Sequence, residues 1–383
     1  MKIFRLIIVA LLLFSACATH QPLSVQDNPV VLLSAKDNPV VLAYVTSWTT
    51  IMPDPDYVTH INYAFGHVNE EFNGVMINRP SRQGSNNAND GRPTSEDRLR
   101  SIVELKKQKP SLKVLLSIGG WGSGNFSEMA ATENNRKAFA ADCQRVVKEF
   151  GLDGIDLDWE YPTSSAARIS SSPADRDNFT LLMRDIRQAI GKDKLLTFAS
   201  ASNAGYVDFK GVEPYVDFVN IMTYDIIGNG SGHHAGLYRS EYTGAPGRNL
   251  SCEESVEAHI KAGIPIHRLV LGIPFYGHGR DKVPGYIDFK NIINRKGVLG
   301  IITRDGETIL EDHRDMWDAM AQVPYWVDGD GKFVLSYESP RSIAIKCEWL
   351  KKKGMLGAMY WDYPADNEEG TLQKAVYYGI MNK

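Results

Sequence analysis

Three carboxylates at alternate positions, Asp156, Asp158 and Glu160, end the run Asp153-Gly154-Ile155-Asp156-Leu157-Asp158-Trp159-Glu160. In an extended strand successive side chains point to opposite faces, so a spacing of two puts all three acids on one face. Ile155, Leu157 and Trp159 take the other face, and an apolar reverse side of that kind belongs in an interior. Burying one unpaired carboxylate is costly, and like charges side by side force one or more of them to keep a proton. An acid that stays protonated at neutral pH is what glycosidic bond cleavage needs, because the leaving oxygen must take up a proton as the bond breaks. A solvent-facing acidic edge is the structural alternative, and Trp159 with its apolar neighbours argues against it.

Such a strand end has to be held by a scaffold. From Val40 onward, short β-branched or aromatic runs alternate with helical stretches, the pattern of parallel strands joined by helical crossovers. Eight strands are expected, at 40–45, 60–65, 113–118, 154–160, 195–200, 217–224, 268–275 and 356–361. Helix starts are marked by a capping box, Ser251 with Glu254, and by Ser339 followed by Pro340 at the first helical position. Eight units of this kind predict an α/β fold, a (β/α)8 TIM barrel spanning 40–383. Two connections are long: the polar stretch from Asn78 to Glu96, and the segment 277–333, read as a small α+β insertion between the seventh strand and its helix. Both follow strands, so both rise from the C-terminal face, where barrel enzymes place their sites.

Further motifs fall at the ends of those strands. Ser117-Ile118-Gly119-Gly120-Trp121 closes the third, Met222-Thr223-Tyr224-Asp225 the sixth and Trp361 the eighth. Together with DxxDxDxE at Asp153, Asp156, Asp158 and Glu160, this chain resembles the family 18 glycoside hydrolases, the chitinase family, over residues 40–383. The resemblance implies a retaining, substrate-assisted hydrolase of β-1,4 links between N-acetylglucosamine units, in which the sugar's own acetamido oxygen attacks C1. Glu160 would be the general acid and then the base. Asp158 would hold the acetamido N–H, and Asp156 would share a proton with Asp158. Tyr224 would donate to the acetamido oxygen, with Asp225 assisting in the same subsite. Tyr44, Phe65, Met222, Tyr276 and Trp361 would line the pocket with Ser117, Gly119 and Gly120, and Trp121 would sit on the leaving-group side. Trp48 and Trp326 are weaker candidates, each as compatible with an ordinary core or surface tryptophan. An endo-β-N-acetylglucosaminidase acting on N-glycan cores would use the same carboxylates, and a sugar-binding lipoprotein without activity is a third reading.

Composition bounds the remaining possibilities. A net charge of −4 without a Lys/Arg-rich block argues against nucleic acid as a partner. His233-His234 lacks the spacing of a metal site, so no metal and no cofactor is expected. Lys2, Arg5, the apolar run 6–14 and Ser15-Ala16-Cys17 read as a signal peptide over 1–16, resembling that of a bacterial lipoprotein, with Cys17 as the lipidated residue. Residues 17–39 are read as a tether containing a duplicated Asp-Asn-Pro-Val-Val-Leu, at 27–32 and 37–42. The chain is therefore expected as a monomer in the cell envelope, anchored by lipid to a bacterial membrane at the outer membrane or surface. Cys143, Cys252 and Cys347 are expected to be mostly buried thiols.

Overall fold

Alternation along each strand decides how this chain packs. The computed structural model describes residues 38–78, 93–226, 232–244, 250–295, 298–302, 308–309 and 313–382. The signal segment, Cys17 and all but the last residues of the tether lie outside the described residues, as does most of the polar stretch after the second strand. Eight strands form one parallel sheet: β1 (Val40–Thr46), β2 (His60–Val68), β3 (Lys113–Gly119), β4 (Gly154–Asp158), β5 (Leu195–Ala201), β6 (Phe218–Met222), β7 (Leu269–Pro274) and β8 (Gly357–Trp361). β1 pairs with β2 on one side and β8 on the other, which closes the sheet into the expected barrel.

Two apolar layers follow from the strand period of two. In β1, Val40, Leu42 and Tyr44 enter the barrel interior with Phe218, Val270 and Met359. Val41, Ala43 and Val45 point outward into the larger core beneath the helices. β4 obeys the same rule: Ile155 and Leu157 join the outer core, so Asp156 and Asp158 must face inward. The helices Ser95–Glu104, Glu133–Phe150, Asp175–Ile190, Cys252–Ala262 and Pro340–Lys353 cover that outer layer, with the one-turn helix Phe209–Val212 between β5 and β6. Ser251 and Ser339 form the caps read from the sequence.

Two details differ from expectation. The β1–β2 connection carries only a 3-10 turn, Pro55–Tyr57, because Pro53 and Pro55 deny an α-helix its backbone donors. The C-terminal helix Thr371–Met381 packs beside β1 and this turn instead. The insertion is not α+β: among the described residues between β7 and helix Pro340–Lys353 there are strands and one 3-10 turn, Phe289–Asn291. Antiparallel pairing orders Ile287–Asp288, Tyr276–Gly279, Phe333–Ser336, Val323–Val327 and Arg314–Asp318 into one sheet, and Ile292–Arg295, Val298–Ile302 and Thr308–Ile309 into another. Hydrophobic runs as short as these satisfy either a strand or a helix turn, and cross-strand packing around Trp326 and Tyr337 settles the choice. Cys143, Cys252 and Cys347 are free and buried. Among the described residues no helix is long and apolar enough to cross a membrane.

Candidate active site

Where β4 ends, its three acids meet three different surroundings. Asp156 is fully buried, and its carboxylate accepts four hydrogen bonds. Tyr44 Oη and Ser117 Oγ donate to Oδ2 at 3.0 and 2.8 Å, and Thr197 Oγ1 and Asn220 Nδ2 donate to Oδ1 at 2.6 and 3.2 Å. The donors come from β1, β3, β5 and β6, the inward positions of four strands. Burial pushes the Asp156 carboxyl up to about 6, and those bonds keep it from rising further. Asp158 is buried too, but Oδ1 has no hydrogen-bond partner. Burial first, then the charges of Glu160 and Asp156, holds it protonated far above the usual carboxylate range. Glu160, two residues beyond the strand, lines the open cleft, and burial pushes it up to about 7.

Asp156 and Asp158 differ in their partners: each oxygen of Asp156 takes two donors, which favours negative charge there, whereas burial and the neighbouring charges favour the protonated form of Asp158. Ser117, fully buried and bonded to Asp156, stands behind the cleft rather than on its wall. Asp153 lies at the opposite end of β4, where it accepts from the Val114 amide and pairs with Lys106 at 2.7 Å.

The cleft above these acids measures about 650 Å³. Tyr44, Phe65, Gly119, Gly120, Trp121, Met222, Tyr224, Asp225, Tyr276 and Trp361 all line it. Trp361 stacks on Phe65 at 5.6 Å between ring centres and leans on Tyr44 at 5.8 Å. Trp48 joins this wall, 6.3 Å from both Phe65 and Trp361 and 61% exposed. Trp326 does not: it is wholly buried in the insertion, because it lies on a central strand between two partners. Trp121 is 65% exposed and meets Tyr161 edge-on, and Tyr161 stacks on Tyr206 at 4.7 Å. Sugar rings present apolar C–H faces, and a cleft walled by flat rings with acids at its base suits them.

Sequence reasoning missed His67, Ser123, Tyr161, Asn203, Tyr206 and Tyr286, which also line the cleft. His67 Nδ1 lies 2.9 Å from Ser123 Oγ, and Tyr286 stacks on Tyr276 at 4.3 Å. Tyr161 was findable, since it directly follows Glu160 past a strand end. Tyr206 and Tyr286 sit on irregular segments that carry no periodic signal. Three non-proline cis peptides, Ala64–Phe65, Glu160–Tyr161 and Trp361–Asp362, lie at this rim.

Gly119 and Gly120 have a packing reason. Their φ values are +133° and +89°, a region that side chains disfavour. A Cβ on Gly119 would stand 2.0 Å from the Asp158 carbonyl oxygen, and one on Gly120 would stand 2.5 Å from the Phe65 ring. Gly119→Ala is therefore expected to cost on the order of 3 kcal/mol, read as a lower denaturant midpoint, and to lower turnover by displacing Asp158. Wild-type stability would refute the close approach.

Known proteins share this architecture. A model described as glycosyl hydrolases family 18 matches residues 40–366. Chitinase A1 of Niallia circulans is 31% identical, aligned over 86% of this chain and 56% of its own length. An endochitinase of Manduca sexta is 30% identical over 85% of this chain and 62% of its own length, so the chain spans only part of these relatives. Among solved structures, a glycoside hydrolase family 18 N-acetylglucosaminidase from Paenibacillus barengoltzii is 34% identical, with a TM-score of 0.74, covering 89% of this chain and 100% of that one. With its family match running through nearly the whole barrel, the chain belongs to family 18 of the glycosyl hydrolases.

Proposed function

We propose that this protein is a chitinase-like hydrolase that cleaves β-1,4 links between N-acetylglucosamine units with retention of configuration, by substrate-assisted catalysis. One observation carries the reading: a buried Asp158 whose Oδ1 has no partner, with burial and neighbouring acids pushing its carboxyl well up, two residues before an acid pushed to about 7 in an aromatic cleft. That oxygen suits an amide N–H, the donor that an N-acetyl sugar brings and a plain hexose lacks.

Glu160 donates its proton to the leaving oxygen as the acetamido oxygen bonds to C1, and the C1–O bond breaks. As positive charge grows on the oxazolinium, one hydroxyl donor turns away from Asp156, Asp158 passes its proton to the oxygen so freed, and the Asp158 anion then stabilises the intermediate. Tyr224, whose hydroxyl is kept protonated by burial and the surrounding acids, donates to the acetamido oxygen. Glu160, now a carboxylate, takes a proton from water, and the water oxygen attacks C1 and reopens the ring. The chemistry requires no cofactor. Trp361 supports the sugar from below, and Trp121 takes the aglycone side.

Product analysis on N-acetylated chito-oligomers of defined length tests this. Cleavage with the β anomer released first is expected, and oligomers without the N-acetyl group at the cleaved sugar are expected to survive. Rapid hydrolysis of cellulose oligomers, or cutting of high-mannose glycoprotein alone, overturns the reading. Release of single sugars from one end would align the activity with that of the Paenibacillus barengoltzii N-acetylglucosaminidase.

The N-terminal pattern supports lipidation of Cys17 and attachment to a bacterial envelope membrane. Metabolic labelling with a fatty acid is expected to mark the wild-type chain and not Cys17→Ser. Equal labelling of both would end that assignment.

A further inference from the structure

We propose that His234 and His278 are positioning residues for the reaction: the two imidazoles clamp the Asp225 carboxylate in the cleft and fix the charge that faces Glu160. The inference rests on the functional reading above and goes beyond it, for it gives a role to His234, one of two adjacent histidines that matched no metal pattern, and to a residue of the insertion.

The geometry begins at β6, which ends at Met222 and leaves Asp225 at a φ of +54°, a left-handed conformation that a non-glycine residue occupies at a cost. The Asp225 side chain is 56% exposed, so its direction is not fixed by burial. Its neighbours fix it. His234 Nδ1 lies 3.5 Å from Oδ1, and His278 Nε2 lies 3.8 Å from the same oxygen. His234 is wholly buried, and neither ring nitrogen has any other hydrogen-bond partner. A buried imidazole donor left without an acceptor is costly, so its approach to the carboxylate is the arrangement that the site is built around.

Two backbone bonds aim His234: its amide donates to Ser336 Oγ at 3.1 Å, and its carbonyl accepts from the Ile226 amide at 3.1 Å. Ser336 is in turn the register partner of His278. In the strand Tyr276–Gly279, period two puts Tyr276 and His278 on one face, and both reach Asp225. The imidazole rings of His234 and His278 stand 5.6 Å apart.

The ionisable groups around this carboxylate are His234, His278, Tyr276, Tyr224, Tyr286 and Glu160, and Arg280 acts on His278 from the far side. Partial desolvation at the base of the cleft raises the Asp225 carboxyl, and the His234 and Tyr276 contacts more than offset it, so the carboxylate is favoured as an anion. That anion raises Glu160 and helps it hold its proton. Burial, then His234, lowers His278, which leaves it neutral where the acid must work. A permanent cation at this position would cancel the field of Asp225 on Glu160.

The full chain, His278→Gln and His278→Lys are compared on N-acetylated chito-oligomers across roughly pH 5 to 9, with thermal melts to confirm folding. His278→Lys is expected to move the alkaline limb of kcat/KM down by roughly half a unit or more, and His278→Gln to lower kcat about three- to tenfold with little change in KM. If both variants keep the parent's kcat and alkaline limb, the proposal fails. A second arm needs no substrate: NMR titration of the His278 ring is expected to give a pKa lower by roughly half a unit or more in Asp225→Asn, because the neighbouring anion is gone. An unchanged titration rejects the clamp even if oligomers are hydrolysed. A chain that hydrolyses no oligomer refutes the functional reading, and the titration then decides the clamp alone.

Discussion

Glu160→Gln is expected to lower kcat on N-acetylated chito-oligomers by about three orders of magnitude or more, while oligomer binding measured by calorimetry stays within a few-fold. The amide keeps the shape of the side chain and loses the proton, and general acid catalysis contributes roughly two to four orders of magnitude. Residual activity above about a tenth of wild type would mean that another group protonates the leaving oxygen. The same variant carries a stability signature. Burial raises Glu160 from its ordinary value to about 7, so the neutral form is favoured in the folded chain. A group raised on folding contributes stability that is complete below its unfolded pKa and is lost as pH rises through the folded one. Wild type is therefore expected to lose stability as pH rises through about 7, whereas the glutamine variant, with nothing to ionise there, loses less. Melting curves at mildly acid and mildly alkaline pH check this, and parallel losses in both proteins would contradict the burial of that carboxyl.

Asp158→Asn is expected to reduce turnover by about two to three orders of magnitude, with ligand affinity nearly unchanged. Asparagine fills the same space and can still accept from an acetamido N–H. It has no proton to surrender and cannot become the anion that offsets positive charge in the intermediate, a type of loss that costs about 3–4 kcal/mol. Pre-steady-state measurement separates the steps: formation of the intermediate should be slowed more than substrate binding. A decrease of less than about tenfold would show that Asp158 is not the orienting group and that its orphaned Oδ1 has another purpose. Asp156 belongs to the same unit. Its four donors favour its charged form in the resting site, so the proton leaving Asp158 can pass to it only when one of those donors turns away.

The heart of the site was legible because its residues report their own geometry. Acids at 156, 158 and 160 between apolar neighbours can satisfy a buried strand in one way only, and the two hydrophobic layers place them as the period requires. Trp361 ends its strand and Tyr224 and Asp225 follow directly after another, and strand ends of a barrel converge. Thr197 and Asn220, the donors to Asp156, stood in the sequence as polar residues inside otherwise apolar strands. That signal marks a buried polar partner without saying which acid it serves. The insertion was misread as α+β because runs as short as Val323–Val327 and Phe333–Ser336 do not distinguish strand from helix until a neighbour pairs with them.

The sequence alone determined the barrel, the face of β4 that carries the acids, and those aromatic residues of the cleft that sit near or just past strand ends, Tyr44, Phe65, Tyr276 and Trp361 among them. Tertiary structure alone decided which acid keeps charge and which keeps a proton. That division depends on hydroxyls and an amide brought from four strands, and on burial that differs over two residues. It also decided that Ser117 serves Asp156 rather than the sugar, that Trp326 is core, and that His234 and His278 meet at Asp225. Contacts between residues far apart in the chain are made by pairing and packing, and no local pattern of residue types records them.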